Sequence, residues 1–251
     1  MRPRLDPRAM AGRVGLVVLA TDHTTETDFA RMVAGPGIGV YASRVAYANP
    51  VTPANLRAMQ PGLAAAAALI LPGEALDALV YSCTSASVVI GEATVAAALN
   101  AGKPGAPVVT PTAAAVAGLR ALGARRISLL TPYTEETAAP MHDYFTAQGF
   151  GIDRLTCFGM EDDREMARIA PDEIAAHAVE ALDPASDALF VSCTALRAAG
   201  VAARIEAATG RPVVTSNLAT AWACLRLCGV APVAGGARLM ALDGPGAEGA
   251  A

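Results

Sequence analysis

The chain has 251 residues, 53 % of them apolar and only 4 % aromatic, with a formal charge of −4. That length suffices for one large domain or two small ones, with a core built mainly from Ala, Val and Leu. The mild acidity, with no basic cluster, excludes nucleic acid and anionic membrane surfaces as partners.

The first apolar run, residues 14–20, follows several arginines and superficially resembles a signal peptide. It is too short to span a membrane, and Asp22 and His23 follow it with no small-residue cleavage pattern. It predicts a buried first strand. No other apolar stretch reaches 18 residues without a turn signal, so a soluble, cytoplasmic protein is expected. Further strands are predicted at 38–46, 78–82, 108–110, 127–130, 188–192 and 213–215. Between them, alanine-rich amphipathic stretches predict helices over 53–71, 87–101, 113–122, 134–148, 171–182 and 197–209. Strands alternating with helices indicate βαβ units and a mostly parallel sheet.

The chain also repeats itself. APVVTPTAAAVAGLRALG (106–123) resembles RPVVTSNLATAWACLRLCG (211–229), and ALVYSCTSASVVIG (78–91) resembles ALFVSCTALRAAG (188–200). RVGLVVLATDHTTE (13–26) and RISLLTPYTEE (126–136) correspond as strand-to-loop units. Two copies at long period predict an α/β fold of two pseudosymmetric Rossmann-like lobes rather than a solenoid. Residues 1–105, completed by 217–251, are expected to form the first lobe and 106–216 the second. In parallel sheets the loops after the strands gather at one edge, where ligands bind. The repeat therefore predicts that Cys83 and Cys193 face each other across one cleft.

The five cysteines, Cys83, Cys157, Cys193, Cys224 and Cys228, are an odd number in a helix-rich chain, which argues against a disulfide framework. Cys224 and Cys228 share a helix face, but no histidine stands at ligand spacing from them, so no metal site is expected. Cys83 and Cys193 differ from the others. Each stands in Ser-Cys-Thr where a strand stops, just before a predicted helix. Backbone N–H groups and the helix dipole are expected there to lower the thiol pKa and to hold a carboxylate or enolate-like oxyanion. Thr84 and Ser85 in one loop and Thr194 in the other supply hydroxyls. Tyr133, in the equivalent loop TPYTEE, offers a phenolic donor. His23 offers an acid, base or carboxylate donor, and Thr24, Thr25 and Glu26 read as helix-capping chemistry. The acidic run 161–163 reads as a solvated helix start.

These loops resemble the aspartate/glutamate racemase superfamily. The branch is that of maleate cis-trans isomerase, arylmalonate decarboxylase and the ectoine-utilisation protein A group. The likeness runs from the first strand to Gly229 and is strongest in the cysteine loops and in GLRALGARRISLLTPY (118–133). It implies two Rossmann-like lobes with the site between them, no metal and no organic cofactor, a small carboxylate substrate, and a homodimer by analogy with relatives. In the maleate isomerases the cysteine matching Cys83 adds to the alkene, giving a succinyl-type intermediate, and the one matching Cys193 donates a proton. In the racemases the two thiols act as opposed bases. The decarboxylase keeps only the second cysteine, so the pair here weighs against it. Ala195 and Leu196, after the second Cys-Thr, depart from the amino-acid racemases, which carry a His or acidic residue there.

Two further departures bear on the substrate. Maleate isomerases place asparagines where this chain has His23 and Asp163, the latter aligned to within a residue because Asp162 adjoins it. Asp163 as an anion repels a carboxylate and suits an ammonium or amide. The resemblance thus implies an isomerase or racemase acting on a nitrogen-bearing small carboxylate, with a place in ectoine degradation. The alternatives are an arylmalonate-type decarboxylase and a non-catalytic small-molecule-binding protein.

Overall fold

The computed structural model describes residues 3–35, 37–231 and 236–242. Among them, eight strands form two parallel sheets of matching topology. The first contains β1 (Gly12–Leu19), β2 (Ile38–Val45), β3 (Ala78–Ser82) and β4 (Val108–Val109), in the order β2-β1-β3-β4. The second contains β5 (Arg126–Tyr133), β6 (Gly151–Met160), β7 (Ala188–Val191) and β8 (Val213–Thr215), in the order β6-β5-β7-β8. This is the two-lobed α/β fold that the internal repeat predicts.

The central strands are continuous apolar runs because helices cover both faces of each sheet. Leu16, Val17, Val18, Leu79 and Val80 in one sheet, and Leu129, Leu130, Leu189 and Phe190 in the other, are wholly inaccessible. Each such side chain contributes about 1.5–3 kcal/mol to folding. The buried apolar residues of both sheets join one cluster. The lobes therefore share a core.

Two helices produce that sharing. α6 (Pro111–Ala121) leaves β4 of the first sheet and touches β8 of the second. α11 (Ser216–Leu227) leaves β8 and touches β3 and β4 of the first sheet, packing against α6 on the way. The lobe boundary drawn at 105/106 is displaced by this arrangement: Val108 and Val109 pair with Leu79 and Val80, so β4 belongs to the first sheet. The similarity of 106–123 to 211–229 has the same cause, since β4 and β8 are the last strands of equivalent units. Residues 232–235 and 243–251 of the expected first-lobe extension lie outside the described residues.

The predicted helix over 87–101 is instead two, α4 (Thr84–Ile90) and α5 (Glu92–Gly102), meeting at about 100°. The hinge is Gly91, whose φ of +92° is a conformation that favours glycine. The stretch 53–71 is likewise divided, into α2 (Pro53–Arg57) and α3 (Leu63–Ala68), by a 3₁₀ turn containing Pro61. β6 escapes prediction because it is an edge strand with a half-exposed, mixed sequence, GIDRLTCFGM. No single helix among the described residues is long and apolar enough to cross a membrane.

α3 and α5 pack closely through Gly102. A Cβ there would lie 1.9 Å from the Ala64 carbonyl oxygen, so the helices would have to separate. Gly102→Ala is expected to cost about 1–3 kcal/mol by overpacking. The thermal midpoint should fall by about 2–4 °C per kcal/mol, as read by circular dichroism.

Candidate active site

The post-strand loops of the two sheets meet edge to edge and enclose a narrow cavity. Leu19, Asp22, Tyr47, Val51, Leu56, Cys83 and Ser85 line it from the first lobe, and Tyr133, Asp163, Cys193, Thr194 and Ala195 from the second. Its free interior, about 20 Å³, has room for about one water. Both thiols are thus brought to one site, from opposite lobes, with Tyr133, Asp163, Ser85 and Thr194 around them.

Cys83 is the N-cap residue of α4 and follows the last residue of β3 directly. Cys193 is held differently. No helix follows it at once: turns and a 3₁₀ segment (Ala199–Val201) precede α10 (Ala202–Thr209). Its φ is +97°, outside the usual range for a residue with a side chain. This turn directs the Ala195 and Leu196 amides at the sulfur. The expected helix-dipole activation therefore has no basis at Cys193, and the source of N–H groups there is a turn.

Burial also reverses the expected direction of the thiol pKa values. Desolvation pushes Cys83 up to about 12, against the opposing effect of the Ala86 amide and the Ser85 hydroxyl, whose Oγ lies 3.8 Å from the sulfur. Desolvation likewise pushes Cys193 up to about 11, against the Tyr133 hydroxyl and the two amides. The Asp163 carboxylate raises both. A solvated dipole stabilises a thiolate; here the cost of removing the anion from water outweighs it. Both thiols rest protonated.

Tyr133 is buried between the two loops, its hydroxyl against the Cys193 sulfur and the Ser85 hydroxyl. Burial and the neighbouring thiols hold that phenol well above its ordinary pKa, so it is a neutral donor. Asp163 opens the short helix α8 (Asp163–Met166) after β6 and is itself buried. One of its oxygens accepts from the Asn49 amide at 2.7 Å, and the other accepts from the Thr21 hydroxyl. Asp162 instead caps α8, with Arg164 holding its carboxyl down to about 2. Asp163, not Asp162, faces the cavity.

His23 and Thr84 do not line the cavity. Asp22 turns inward and accepts from Thr24 N and Thr25 N, both at 2.8 Å, and from the Thr25 hydroxyl at 2.7 Å. The capping expected of the threonines and Glu26 is thus performed by Asp22. His23, next along the turn, emerges exposed into a separate groove with Thr27, Arg31 and Arg197. Thr84 is buried with its hydroxyl donating to Ser216 Oγ at 2.8 Å. The Thr194 hydroxyl donates to the Ser82 carbonyl at 3.2 Å across the lobe boundary.

Tyr47 and Asn49 belong to this region and were not singled out by the sequence. They lie just beyond β2, in the same kind of post-strand loop as the cysteines, and that position was the available signal. The Tyr47 hydroxyl is buried and has no hydrogen-bond partner among the described residues. Its loop closes the cavity by bonds to the other lobe. Val51 N donates to the Glu161 carbonyl at 2.7 Å, and the Thr137 hydroxyl donates to the Val51 carbonyl at 3.0 Å. Among the described residues no Lys, Arg or His lines the cavity; a group entering it meets hydroxyls, phenols and the carboxyls of Asp22 and Asp163.

This is the geometry of a two-lobed α/β enzyme class with one thiol on each wall of its cleft. Residues 61–240 match the family model described as arylmalonate decarboxylase, and the chain belongs to that family. The maleate isomerase of Nocardia farcinica is 31 % identical over 92 % of this chain and 96 % of its own. A cysteine-to-serine mutant of the N. farcinica maleate cis-trans isomerase, with a covalently bound succinylcysteine intermediate, superposes with a TM-score of 0.83 at 28 % identity. That match covers 92 % of this chain and 99 % of the other. A liganded double mutant of arylmalonate decarboxylase gives 0.81 at 27 % identity, covering 91 % and 98 %. The chain lies in the maleate isomerase and arylmalonate decarboxylase branch and is an isomerase-type enzyme.

The raised thiol pKa values have a measurable consequence. At pH 8 a thiol with a pKa of 11 is ionised in about one molecule per thousand. Iodoacetamide modification of Cys83 and Cys193 in the native protein, followed by peptide mass spectrometry, should accelerate steadily from pH 8 to about pH 11. A free thiol levels off near pH 9. Because the folded values exceed the unfolded ones, burial of these thiols favours folding fully below about pH 9. That contribution is lost as the pH rises through 11 to 12.

Proposed function

We propose that this protein is a two-thiol isomerase or racemase for a small carboxylate that also bears nitrogen, with Cys83 and Cys193 as its reacting groups. The observation that carries this is the cavity itself: a cysteine from each lobe, neutral donors on Tyr47, Tyr133 and Ser85, and two acids, Asp163 and the helix-capping Asp22, with no cationic side chain among the described lining residues. A second carboxylate on the substrate would meet Asp163 without a counter-charge, whereas an ammonium or amide N–H would be drawn to it. Acetylated 2,4-diaminobutyrate, from ectoine ring opening, has the required groups, which supports a role in ectoine degradation. The five cysteines, all free, suit the reducing cytoplasm.

Two courses are chemically balanced at such a site. Either course begins when one resting thiol loses its proton to solvent; in racemisation, that cysteine as thiolate takes the α-proton and becomes a thiol again. The opposed thiol gives its proton to the other face of the carbanion and is left as thiolate. In cis-trans isomerisation, the Cys83 thiolate adds to one alkene carbon while Cys193 protonates the other, giving a succinyl thioether. Rotation follows; Cys193 then takes the proton back and Cys83 leaves as thiolate. The hydroxyls and amides around the thiols support either course by bonding the carboxylate oxygens as negative charge develops there.

The two courses give different products in deuterated water. Incubation with each enantiomer of the acetylated diaminobutyrate should place deuterium at the α-carbon, read by NMR, with loss of optical rotation. Cys83→Ser or Cys193→Ser should abolish it by at least about a hundredfold. Rapid maleate turnover with no exchange on the amino substrates would instead sink the nitrogen assignment.

Asp163→Asn tests the role of the acid separately. It removes the repulsion and should raise kcat/KM for maleate by about tenfold or more, while lowering exchange on the amino substrate. In Cys193→Ser, maleate should remain on Cys83 as a succinyl adduct visible in the intact mass, its carbon protonated from solvent, since the base that takes the proton back to complete the cycle is gone.

A further inference from the structure

Both cysteine loops are tied to a single hydroxyl that lies outside the cavity. Ser216 is the first residue of α11, the helix that leaves the second sheet and packs onto the first. Its Oγ accepts from the Cys193 backbone N–H at 3.1 Å and from the Thr84 hydroxyl at 2.8 Å. One bond reaches the main chain of one thiol; the other reaches the residue next to the opposite thiol. We infer that Ser216 is a positioning residue that sets the separation and aim of Cys83 and Cys193. The inference rests on the two-thiol reading of the site.

Three features make this bond more than ordinary buried polar satisfaction. First, Cys193 holds a φ of +97°, a conformation that residues with a side chain keep only when their surroundings impose it. The bond from its N–H to Ser216 acts directly on that strained peptide. Second, the next residue, Asn217, donates to the Thr194 carbonyl at 3.0 Å and to the buried Asp28 at 2.8 Å. The start of α11 thus grips the Cys193 loop on both sides of its turn. Third, the repeat is broken at this point. The copy RPVVTSN carries Ser216 and Asn217 where APVVTPT carries Pro111 and Thr112. Proline has no hydroxyl, and Thr112 bonds Glu92 instead, away from either thiol. A purely structural need of the fold would be expected in both halves. The grip exists at α11 and not at α6, its counterpart in the other half.

Ser216→Ala and Thr84→Val test the inference in the full-length protein by three measurements. The first is the iodoacetamide alkylation rate of Cys83 and Cys193 at pH 9, resolved by peptide mass spectrometry; both should rise at least about threefold as the loops loosen. The second is turnover, read as α-carbon deuterium exchange on the acetylated diaminobutyrate or as maleate isomerisation, where kcat should fall roughly tenfold with KM unchanged within about twofold, because misaimed reacting groups cost rate rather than binding. The third is the thermal midpoint, which should fall by about 2–10 °C and leave the protein folded at the assay temperature. The double variant should be no slower than Ser216→Ala alone, since both substitutions break one connection.

Unchanged alkylation in both variants would overturn the inference, as would a loss of kcat that merely follows loss of folded protein. Should Ser216→Ala unfold, Thr84→Val decides by the same readouts. If the wild type neither exchanges the α-proton of the acetylated diaminobutyrate nor turns over maleate, the alkylation rates alone decide the role of Ser216, and the isomerase or racemase chemistry fails separately.

Discussion

The burial of two thiols at the junction of two sheets is the constraint on which the rest of the site depends. Each thiol sits at the end of a strand whose flanks are wholly apolar, and the loops that carry them press against each other. A polar group left without a partner in such a place is costly. Several are satisfied across the lobe boundary, while Ser192 Oγ and the Tyr47 hydroxyl have no partner among the described residues. The Thr24 hydroxyl bonds the Ala195 carbonyl at 2.7 Å, Thr194 bonds Ser82, and Thr84 and Cys193 share Ser216. The same burial that demands these bonds removes water from the sulfurs and holds them protonated. Narrowness, neutrality and rigidity of the cavity are one property seen three ways.

That neutrality shapes the chemistry the site can support. With no cationic side chain in the lining, a bound carboxylate depends on oriented dipoles rather than on an ion pair. Such dipoles, in a medium that excludes water, act most strongly on charge that appears during reaction. Two buried acids are the exceptions: Asp22, which accepts from Thr24 and Thr25, and Asp163, held by Asn49 and Thr21. Asp163 is the one that joins the second lobe to the first. Its partners come from two different loops of the first lobe, so the acid is itself one of the bonds that close the cleft.

Much of this was legible in the sequence, and for definite reasons. Continuous apolar runs bounded by turns can only be strands covered on both faces, so the parallel α/β fold follows from pattern alone. Two copies of Ser-Cys-Thr at strand ends place two thiols in equivalent loops, and pseudosymmetry makes those loops face one another. Tyr133 was accessible by the same logic. β6 was not, because an edge strand is half solvated and its sequence alternates weakly. Tyr47 and Asn49 were missed with less excuse, since they too stand at a strand end.

The sequence by itself determined the class of fold, the pairing of Cys83 with Cys193 and the family to which the chain belongs. These depend on local pattern and on repetition, both of which a linear string records. Only the tertiary structure decided the direction in which each polar side chain points and the sign of the thiol pKa shifts. His23 and Asp22 are neighbours in one turn, yet one is exposed and the other caps a helix from inside. A thiol at a helix start is activated when solvated and suppressed when dry, and that difference is set by what packs over it. The joining of both loops to Ser216 is likewise invisible in the string, because the helix that carries it must first cross from one sheet to the other.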